Sequence, residues 1–244
     1  MNINFKTSGK GDPILILHGW GSSIKSWERV VEKLSKTHSV IIPDMPGFGA
    51  SSPPEKAWHG HDYENWVLEF IKSQHLQIPI TFIGHSFGGG LAMKIAINHS
   101  ELVDKLILIG AARLYVEKSL YKRAVSGIAK LGKKIERFIP FVEIVRRVFY
   151  KIIVRERDYT RVSGVMKETF VNIIKEDLTP QIHKIKAPTL IIWGSRDTAT
   201  PLKNARFLEK NISDSRLEII KGAGHALNLE QPEKLAQIIL EFLK

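Results

Sequence analysis

The chain has 244 residues, 43% of them hydrophobic, which is enough for one sizeable core and is typical of a single α/β domain. It contains no cysteine, which excludes disulfides, a thiolate nucleophile and a cysteine-ligated metal, and which agrees with the reducing cytoplasm where we expect the protein to work. The net charge of +11 is concentrated between Arg113 and Lys167, where 15 Lys and Arg stand against 5 Asp and Glu.

Short apolar runs alternate with helical patterns, as in a parallel sheet covered by helices. Residues 1–11 lack the basic and apolar segments of a signal peptide, so we expect none. The apolar runs predict six strands: Ile14–Leu17, Val40–Ile42, Ile80–Ile83, Leu106–Ile109, Thr189–Trp193 and Leu217–Ile220. The helical patterns predict five helices: Ser26–Leu34, Tyr63–Ser73, one through Leu91–Ala96, Leu202–Glu209 and Pro232–Leu243.

The alternation stops between Ala111 and Ile185. Apolar residues recur there at spacings of three and four, which predicts helices; they are Leu120, Ala124, Ile128, Leu131, Ile135 and Phe138. A helical insertion between two strands of a parallel sheet lies over the carboxyl edge of that sheet, where ligands bind. We therefore predict a core domain of residues 1–112 and 186–244, and a helical cap of residues 113–185.

The strand ending at Ile83 runs directly into Gly84-His85-Ser86-Phe87-Gly88, which matches the pattern G-x-S-x-G between a strand and a helix. In such a turn the serine is the nucleophile, and its backbone is strained. Glycines two residues to either side remove Cβ atoms that would clash. We predict that Ser86 is a nucleophile rather than part of a glycine-rich turn without chemistry.

A serine hydroxyl needs a base to take its proton, and the base is best a histidine oriented by a carboxylate. After Ser86, Asp197 and His225 each follow a predicted strand, in the order Ser, acid, His. We predict that Asp197 is the acid and His225 the base. The alternatives are a helix-capping role for Asp197 and a solvated loop position for His225. Asp177 and Asp214 are weaker candidates for the acid, because neither directly follows a strand.

The oxyanion of an acyl-transfer intermediate needs two N–H donors. We predict the backbone amides of Phe87, next to the nucleophile, and of Trp20, in the loop His18-Gly19-Trp20-Gly21 after the first predicted strand. His18 is expected to hydrogen-bond this loop rather than to transfer protons. The predicted pocket-lining side chains are Trp20, Leu114, Phe138, Phe141, Phe149 and Trp193.

The segments HGWGSS, PDMPGFGASS, GHSFGGG, WGSRDTATP and GAGHALNLEQP together resemble the α/β-hydrolase superfamily, and within it the small cap-bearing esterases, lactonases and C–C bond hydrolases. The likeness covers residues 10–112 and 186–244. It implies an eight-stranded, mostly parallel sheet flanked by helices and a two-step mechanism through an acyl-enzyme on Ser86, with no cofactor or metal. It also implies that Asp44 is structural. The serine excludes the branches with a nucleophilic Asp, the haloalkane dehalogenases and epoxide hydrolases, but not serine-dependent perhydrolases.

The basic residues of the predicted cap, Lys130, Lys133, Lys134 and Arg137, fall on the face opposite its apolar stripe. They indicate a solvated face, a surface that meets anionic lipid, or a cap that attracts an anionic substrate. Nucleic acid is not an expected partner, since the aromatic residues here lie on apolar stripes and no recognition motif is present.

The function predicted from these residues is hydrolysis of a small-molecule carboxylic ester or lactone. Cleavage of a C–C bond in a diketone would use the same three residues. Some members of the resembled superfamily sense a small ligand instead, and a peripheral membrane lipase is a third alternative. Turnover separates enzyme from receptor, because a receptor would be acylated once or would hydrolyse its ligand very slowly.

Overall fold

The computed structural model describes residues 1–114 and 164–244. These residues form one seven-stranded sheet in the order β1-β3-β2-β4-β5-β6-β7. β1 pairs antiparallel with β3, and every other pair of neighbours is parallel. The strands are β1 Phe5–Ser8, β2 Pro13–Leu17, β3 Ser39–Pro43, β4 Ile80–His85, β5 Val103–Ile109, β6 Thr189–Gly194 and β7 Ser215–Ile220.

Seven α-helices lie in the described part of the chain: α1 Glu28–Leu34, α2 Gly60–Ser73, α3 Phe87–Asn98, α4 Val165–Ile174, α5 Leu202–Asn211, α6 Leu227–Glu230 and α7 Pro232–Leu243. Short 3₁₀ helices cover Ile24–Trp27, Ser100–Leu102 and Thr179–Lys184. The five helices predicted from periodicity are present. No helix within residues 1–114 and 164–244 is long and apolar enough to cross a membrane.

The sheet is buried on both faces, which explains why its central strands are continuous apolar runs. Successive side chains of a strand point to opposite faces. In β2, Leu15 and Leu17 accordingly pack into one core with α2, α3 and α5. Ile14 and Ile16 pack into a second core with α1 and α7. The predicted α/β architecture, a mostly parallel sheet between helical layers, is confirmed.

The number of strands differs from the expected eight, since the described residues form seven. The edge strand β1 was not predicted, because its sequence FKTS lacks an apolar run and three of its four residues are exposed. The residues ahead of β1 do not add another strand. The carbonyls of Asn2 and Asn4 instead accept hydrogen bonds from the amides of Ser52 and Asp44, in the loop after β3.

The strand order brings the predicted site residues to one edge of the sheet. β2 and β4 are neighbours, although β3 lies between them in sequence, so the chain leaves β2 and β4 toward opposite sides of the sheet. Ligands of open α/β sheets bind at such a point, beyond the carboxyl ends of the strands. Trp20 follows β2 and Ser86 follows β4, while Asp197 and His225 follow β6 and β7.

Part of the predicted cap, α4 and the turn after it, packs directly on the core. Thr169 accepts a 2.9 Å hydrogen bond from the amide of Trp58. Glu176 accepts a 2.8 Å hydrogen bond from Arg113 Nη1 and forms an ion pair with Lys94 of α3. Glu176 therefore connects this segment to the helix that begins after Ser86. The rest of the predicted cap, including its basic residues Lys130, Lys133, Lys134 and Arg137, lies outside the described residues.

We predict that Glu176→Gln lowers the free energy of unfolding by about 2 kcal/mol or more, because it leaves two buried cations without their shared carboxylate. The side chains of Lys94 and Arg113 are only 13% and 2% exposed. Urea unfolding followed by fluorescence measures the change. Glu168→Gln, at an exposed position of α4, is the matched control and should change stability by less than about 0.5 kcal/mol. Equal stabilities of the two variants would contradict the prediction.

Candidate active site

Ser86 lies in a strained turn between β4 and α3, with φ 51° and ψ −113°. A non-glycine residue rarely adopts a positive φ, and such conformations persist only where the surroundings hold them. The amide of Ser86 donates to the carbonyl of Ile109 at 2.9 Å, and its carbonyl accepts from the amides of Gly90 and Ala112, both at 3.0 Å. The turn is thus fixed by β5 on one side and by α3 on the other.

Two glycines make this turn sterically possible, as predicted. A Cβ on Gly84 would lie 2.6 Å from the carbonyl oxygen of Gly88. A Cβ on Gly88 would lie 2.0 Å from the carbonyl oxygen of Leu17 in β2. Both distances are far below van der Waals contact, so a larger residue at either position would push the start of α3 away from the sheet.

The predicted nucleophile, base and acid lie within hydrogen-bonding distance of one another. His225 Nε2 is 3.0 Å from Ser86 Oγ, and His225 Nδ1 is 2.8 Å from Asp197 Oδ2. Because a carboxylate only accepts, we assign the proton to Nδ1, which leaves the Nε2 lone pair facing the serine hydroxyl. This arrangement allows His225 to take the proton of Ser86 while Asp197 holds the ring in the required tautomer.

The carboxylate of Asp197 is almost fully hydrogen-bonded. Oδ1 accepts the amides of Ala199 and Thr200, both at 2.9 Å, and Oδ2 accepts the Thr200 hydroxyl at 2.8 Å. Burial alone would raise the pKa of Asp197, but the hydrogen bond and charge of His225, together with the bonds from Thr200, outweigh burial and hold the pKa below its usual range. Asp197 is therefore ionised at neutral pH. Sequence reasoning missed Thr200, although its place three residues after the acid is a typical capping position.

Of the other carboxylates considered from sequence, Asp44 and Asp177 bond to backbone amides, and Asp214 lies at the far edge of the sheet. Asp44 accepts the amides of Ile24 and Ala50 at 2.7 and 2.9 Å, in agreement with the structural role expected for it. Asp177 accepts the amide of Thr179 at 3.0 Å. Asp214 directly precedes β7 and so lies at the opposite edge of the sheet from Ser86.

The loop that carries His225 is held by a residue that sequence reasoning missed. Glu230, in α6, accepts the amide of Gly224 at 2.6 Å and the amide of Ala226 at 3.2 Å. It thereby fixes the backbone on both sides of His225. The only sequence signal was an acidic residue five positions after the histidine, which by itself is too common to be informative.

The two amides predicted to bind an oxyanion occupy adjacent loops. The carbonyl of Gly19 faces Ser22 N at 3.2 Å and His18 Nδ1 at 2.8 Å. Since the Gly19–Trp20 peptide is trans, the Trp20 N–H points the opposite way from that carbonyl. Phe87 is the first residue of α3, so its N–H has no preceding helical turn to bond. The amide of Gly88 donates to the carbonyl of His18 at 3.2 Å and joins the two loops.

His18 stabilises the loop after β2, as expected from sequence. Its Nδ1 donates to the carbonyl of Gly19, and its Nε2 accepts the amide of Met45 at 2.9 Å. Complete burial lowers the pKa of His18 to about 4, against the opposing effects of the Gly19 carbonyl and the Asp44 charge. The ring is therefore neutral at physiological pH, which its two hydrogen bonds require.

Trp20 is part of an aromatic cluster beside the nucleophile. Its ring meets three others edge to face, with centroid distances of 4.8 Å to Phe48, 5.4 Å to Phe87 and 4.9 Å to Phe170. Such pairs add to the stabilisation that burial alone provides. Trp20 itself is only partly buried, and its pocket-lining role stays a prediction.

Two of the other predicted pocket residues are buried. Trp193 has no exposed surface and donates its indole N–H to the carbonyl of Thr200 at 2.8 Å, so it supports the Asp197 loop from the core instead of lining a pocket. The prediction was wrong because an aromatic residue at a strand end can point into a core as well as toward the edge. Leu114 is also buried, with 7% of its surface exposed. The remaining three lie outside the described residues: Phe138, Phe141 and Phe149.

Metal-binding side chains do not gather at this site. Across residues 1–114 and 164–244, no group of three or more His, Asp and Glu side chains could hold an ion. The site contains a hydrogen-bonded chain of serine, histidine and carboxylate, a geometry that suits proton transfer and nucleophilic attack.

The sequence matches a family model described as the alpha/beta hydrolase fold, over residues 12–130 and 147–232. A relative from Metapseudomonas resinovorans, 2-hydroxy-6-oxo-6-(2'-aminophenyl)hexa-2,4-dienoic acid hydrolase, is 29% identical over 258 residues, which cover 100% of this chain and 88% of the relative. The chain is also similar, at 29% identity, to the AB hydrolase superfamily protein YisY from Bacillus subtilis, with 96% of this chain and 92% of YisY covered.

Among solved structures, an esterase from Exiguobacterium antarcticum aligns with a TM-score of 0.78 and 26% identity, covering 99% of this chain and 95% of the esterase. The meta-cleavage product hydrolase CumD from Pseudomonas fluorescens IP01 aligns with a TM-score of 0.74 and 25% identity, covering 99% of this chain and 93% of CumD. The similar proteins thus include both an esterase and hydrolases of other substrates.

We predict that the free energy of unfolding falls as the pH is lowered from 6.5 toward about 4, because His18 takes up a proton in the unfolded chain but not in its buried native position. His18→Gln retains an acceptor for the Met45 amide and carries no titrating group. The free energy of unfolding of this variant should change less steeply with pH, by up to about 1.4 kcal/mol per pH unit.

Urea unfolding at several pH values between about 7 and 5 measures this slope. His75→Asn removes an exposed histidine whose φ of 50° asparagine tolerates, and it is the control for the loss of a histidine as such. A slope in His18→Gln equal to that of the unmodified chain would contradict the prediction.

Proposed function

The chain belongs to the α/β-hydrolase family, and we propose that it is a serine hydrolase that cleaves a carboxylic ester or a lactone through an acyl-enzyme on Ser86. The observation that carries the proposal is the unbroken hydrogen-bonded chain from Ser86 Oγ through His225 to Asp197, with distances of 3.0 and 2.8 Å. These distances match a nucleophile paired with its base and a base paired with its orienting acid.

In the acylation step, His225 Nε2 takes the hydroxyl proton as Ser86 Oγ attacks the substrate carbonyl. The carbonyl oxygen becomes an oxyanion, and the amides of Phe87 and Trp20 donate hydrogen bonds to it. When the intermediate collapses, the C–O bond to the leaving group breaks and His225 gives its proton to the departing alkoxide. The alcohol leaves, or stays attached in a lactone, and the acyl group remains on Ser86.

In the deacylation step, the same groups act on water. His225 takes a proton from a water molecule as the water oxygen attacks the acyl carbonyl. His225 then gives that proton to Ser86 Oγ. The products are a carboxylic acid and the free serine. The ionised carboxylate of Asp197 stabilises the imidazolium that forms in both steps, because Asp197 is buried beside it and its pKa lies below the usual range.

The second candidate is hydrolysis of a C–C bond, and the names of the relatives favour it. The Metapseudomonas resinovorans relative hydrolyses a 2-hydroxy-6-oxo-dienoic acid, a compound with a ketone but no ester, so that its hydrolysis breaks a C–C bond. The solved esterase supports the first candidate at 26% identity. Both reactions need attack on a carbonyl carbon and an oxyanion site, and they differ in whether the leaving group departs through oxygen or carbon.

We predict multiple turnovers on p-nitrophenyl esters in a series from acetate to decanoate, and a loss of kcat of roughly 10⁴-fold or more in Ser86→Ala. The chain-length optimum of the series measures the space available to the acyl group. Ser213→Ala, at an exposed position, is the matched control and should keep the full rate. Substantial turnover in Ser86→Ala would contradict the assignment of the nucleophile.

A parallel assay with a 2-hydroxy-6-oxo-dienoic acid, its products identified by mass spectrometry, separates the two candidate reactions. Turnover on esters but not on this acid supports the ester or lactone reaction. Turnover on the acid without any ester turnover, and its loss in Ser86→Ala, would replace the first candidate by the second.

A further inference from the structure

His85, the residue before Ser86, is a buried histidine that the acyl-transfer steps do not use. It ends β4 and is only 6% exposed. Its ring lies 4.9 Å from the ring of His225 between centroids, with an interplanar angle of 41°. His85 thus contacts the proposed base, His225, without taking part in the hydrogen-bonded chain from Ser86 to Asp197.

One ring nitrogen of His85 holds the backbone of His225. Nε2 lies 2.9 Å from the carbonyl oxygen of His225, and since a carbonyl only accepts, Nε2 carries the proton and donates it. The hydrogen bond reaches across the sheet edge, from the last residue of β4 to the loop after β7. It therefore fixes the main chain of the general base relative to the nucleophile that directly follows His85.

The other ring nitrogen faces the loop that carries the Trp20 amide. Nδ1 is shielded from solvent, and no hydrogen-bond donor in the described part of the chain reaches it. The ring fills the space left by the missing side chain of Gly19, since a Cβ there would lie 2.9 Å from His85 Nδ1 and 3.3 Å from its Cε1. Because Gly19 directly precedes Trp20, the ring of His85 sets how closely this loop approaches Ser86.

The charge state of His85 suits this position. Burial, helped by the neighbouring charge of His225, lowers the pKa of His85 to about 3, against the opposing effects of the His225 carbonyl and Asp197. His18 also lies close enough to disfavour a second positive charge. The ring is thus neutral when His225 becomes an imidazolium, so that the two do not repel each other as charged groups.

We propose that His85 is a positioning residue, which holds the main chain of His225 through Nε2 and the loop of Trp20 through ring contact with Gly19. This proposal rests on the proposed function, because both parts that it holds act in acyl transfer. Its effect falls on the transition state, where the base and the oxyanion donors must be correctly placed at the same time. A loss of position therefore lowers kcat more than it raises KM.

The test compares two substitutions of nearly equal size. In His85→Gln the side-chain amide can still donate to the His225 carbonyl, whereas His85→Met cannot donate at all. We expect His85→Met to lower kcat on p-nitrophenyl esters about tenfold, which corresponds to about 1.4 kcal/mol of transition-state stabilisation. KM should change less than about twofold, and His85→Gln should recover most of the lost kcat.

Thermal unfolding of each variant accompanies the kinetics. Equal kcat values for His85→Met and His85→Gln would overturn the proposal, as would a loss that appears only in KM. Should His85→Met not fold, His85→Asn takes its place, because its shorter amide puts the donor near the Nδ1 position and should lose kcat in the same way.

A double-mutant cycle tests the contact with Gly19 independently. Gly19→Ala should lower kcat in the unmodified chain, because its methyl group meets the His85 ring, but should cost little in His85→Ala, where the ring is gone. Additive effects would overturn this part of the proposal.

Labelling of Ser86 by a fluorophosphonate tests the proposed function separately from the role of His85. No labelling and no ester turnover in the unmodified chain would refute the proposed function. Normal labelling and turnover in the unmodified chain, together with equal kcat values for His85→Met and His85→Gln, would refute only the role of His85.

Discussion

The arrangement of the whole site depends on the strained turn at Ser86. A positive φ at a serine costs on the order of 1–3 kcal/mol, so the surrounding structure must hold it. It does so through the bonds of Ser86 to Ile109 and Ala112 and through the contact of Gly88 with the end of β2. The same contacts bring the loop after β2 against the start of α3. The interactions that hold the strained turn at Ser86 thus also bring together the segments that carry the two amides proposed to bind the oxyanion.

Three buried side chains near this turn differ in charge: Asp197 is ionised, whereas His18 and His85 are neutral. Asp197 keeps its charge because four hydrogen bonds, from His225, Ala199 and twice from Thr200, compensate its burial. His18 and His85 lie in equally buried positions but bond only to backbone groups, and burial keeps both neutral. In the proposed mechanism, an imidazolium at His225 would therefore be stabilised by Asp197, with His18 and His85 uncharged beside it.

Much of this arrangement could be predicted from the sequence, because it follows from local patterns and from chain order. The apolar runs located six of the seven strands, and the order Ser86, Asp197, His225 after three of them selected three residues that the fold brings together. What was missed depends on tertiary proximity. The polar edge strand β1 carries no apolar signal, Trp193 points into the core and not toward the pocket, and the role of His85 arises only where the end of β4 meets the loop after β7. Thr200 and Glu230 are exceptions, since each acts on residues three to six positions away, but such polar pairs are too common in sequences to be informative. A residue that acts through a neighbour distant in sequence leaves no local pattern to read.

The most direct test of the central claim is to trap the acyl-enzyme. A p-nitrophenyl carbamate transfers its carbamoyl group to a serine nucleophile, and the product hydrolyses slowly enough for mass spectrometry. We expect stoichiometric release of p-nitrophenol, a matching mass increase of the protein, and a carbamoyl group on the peptide that contains Ser86. Release of p-nitrophenol with Ser86 unmodified, or with the group on another residue, would contradict this expectation.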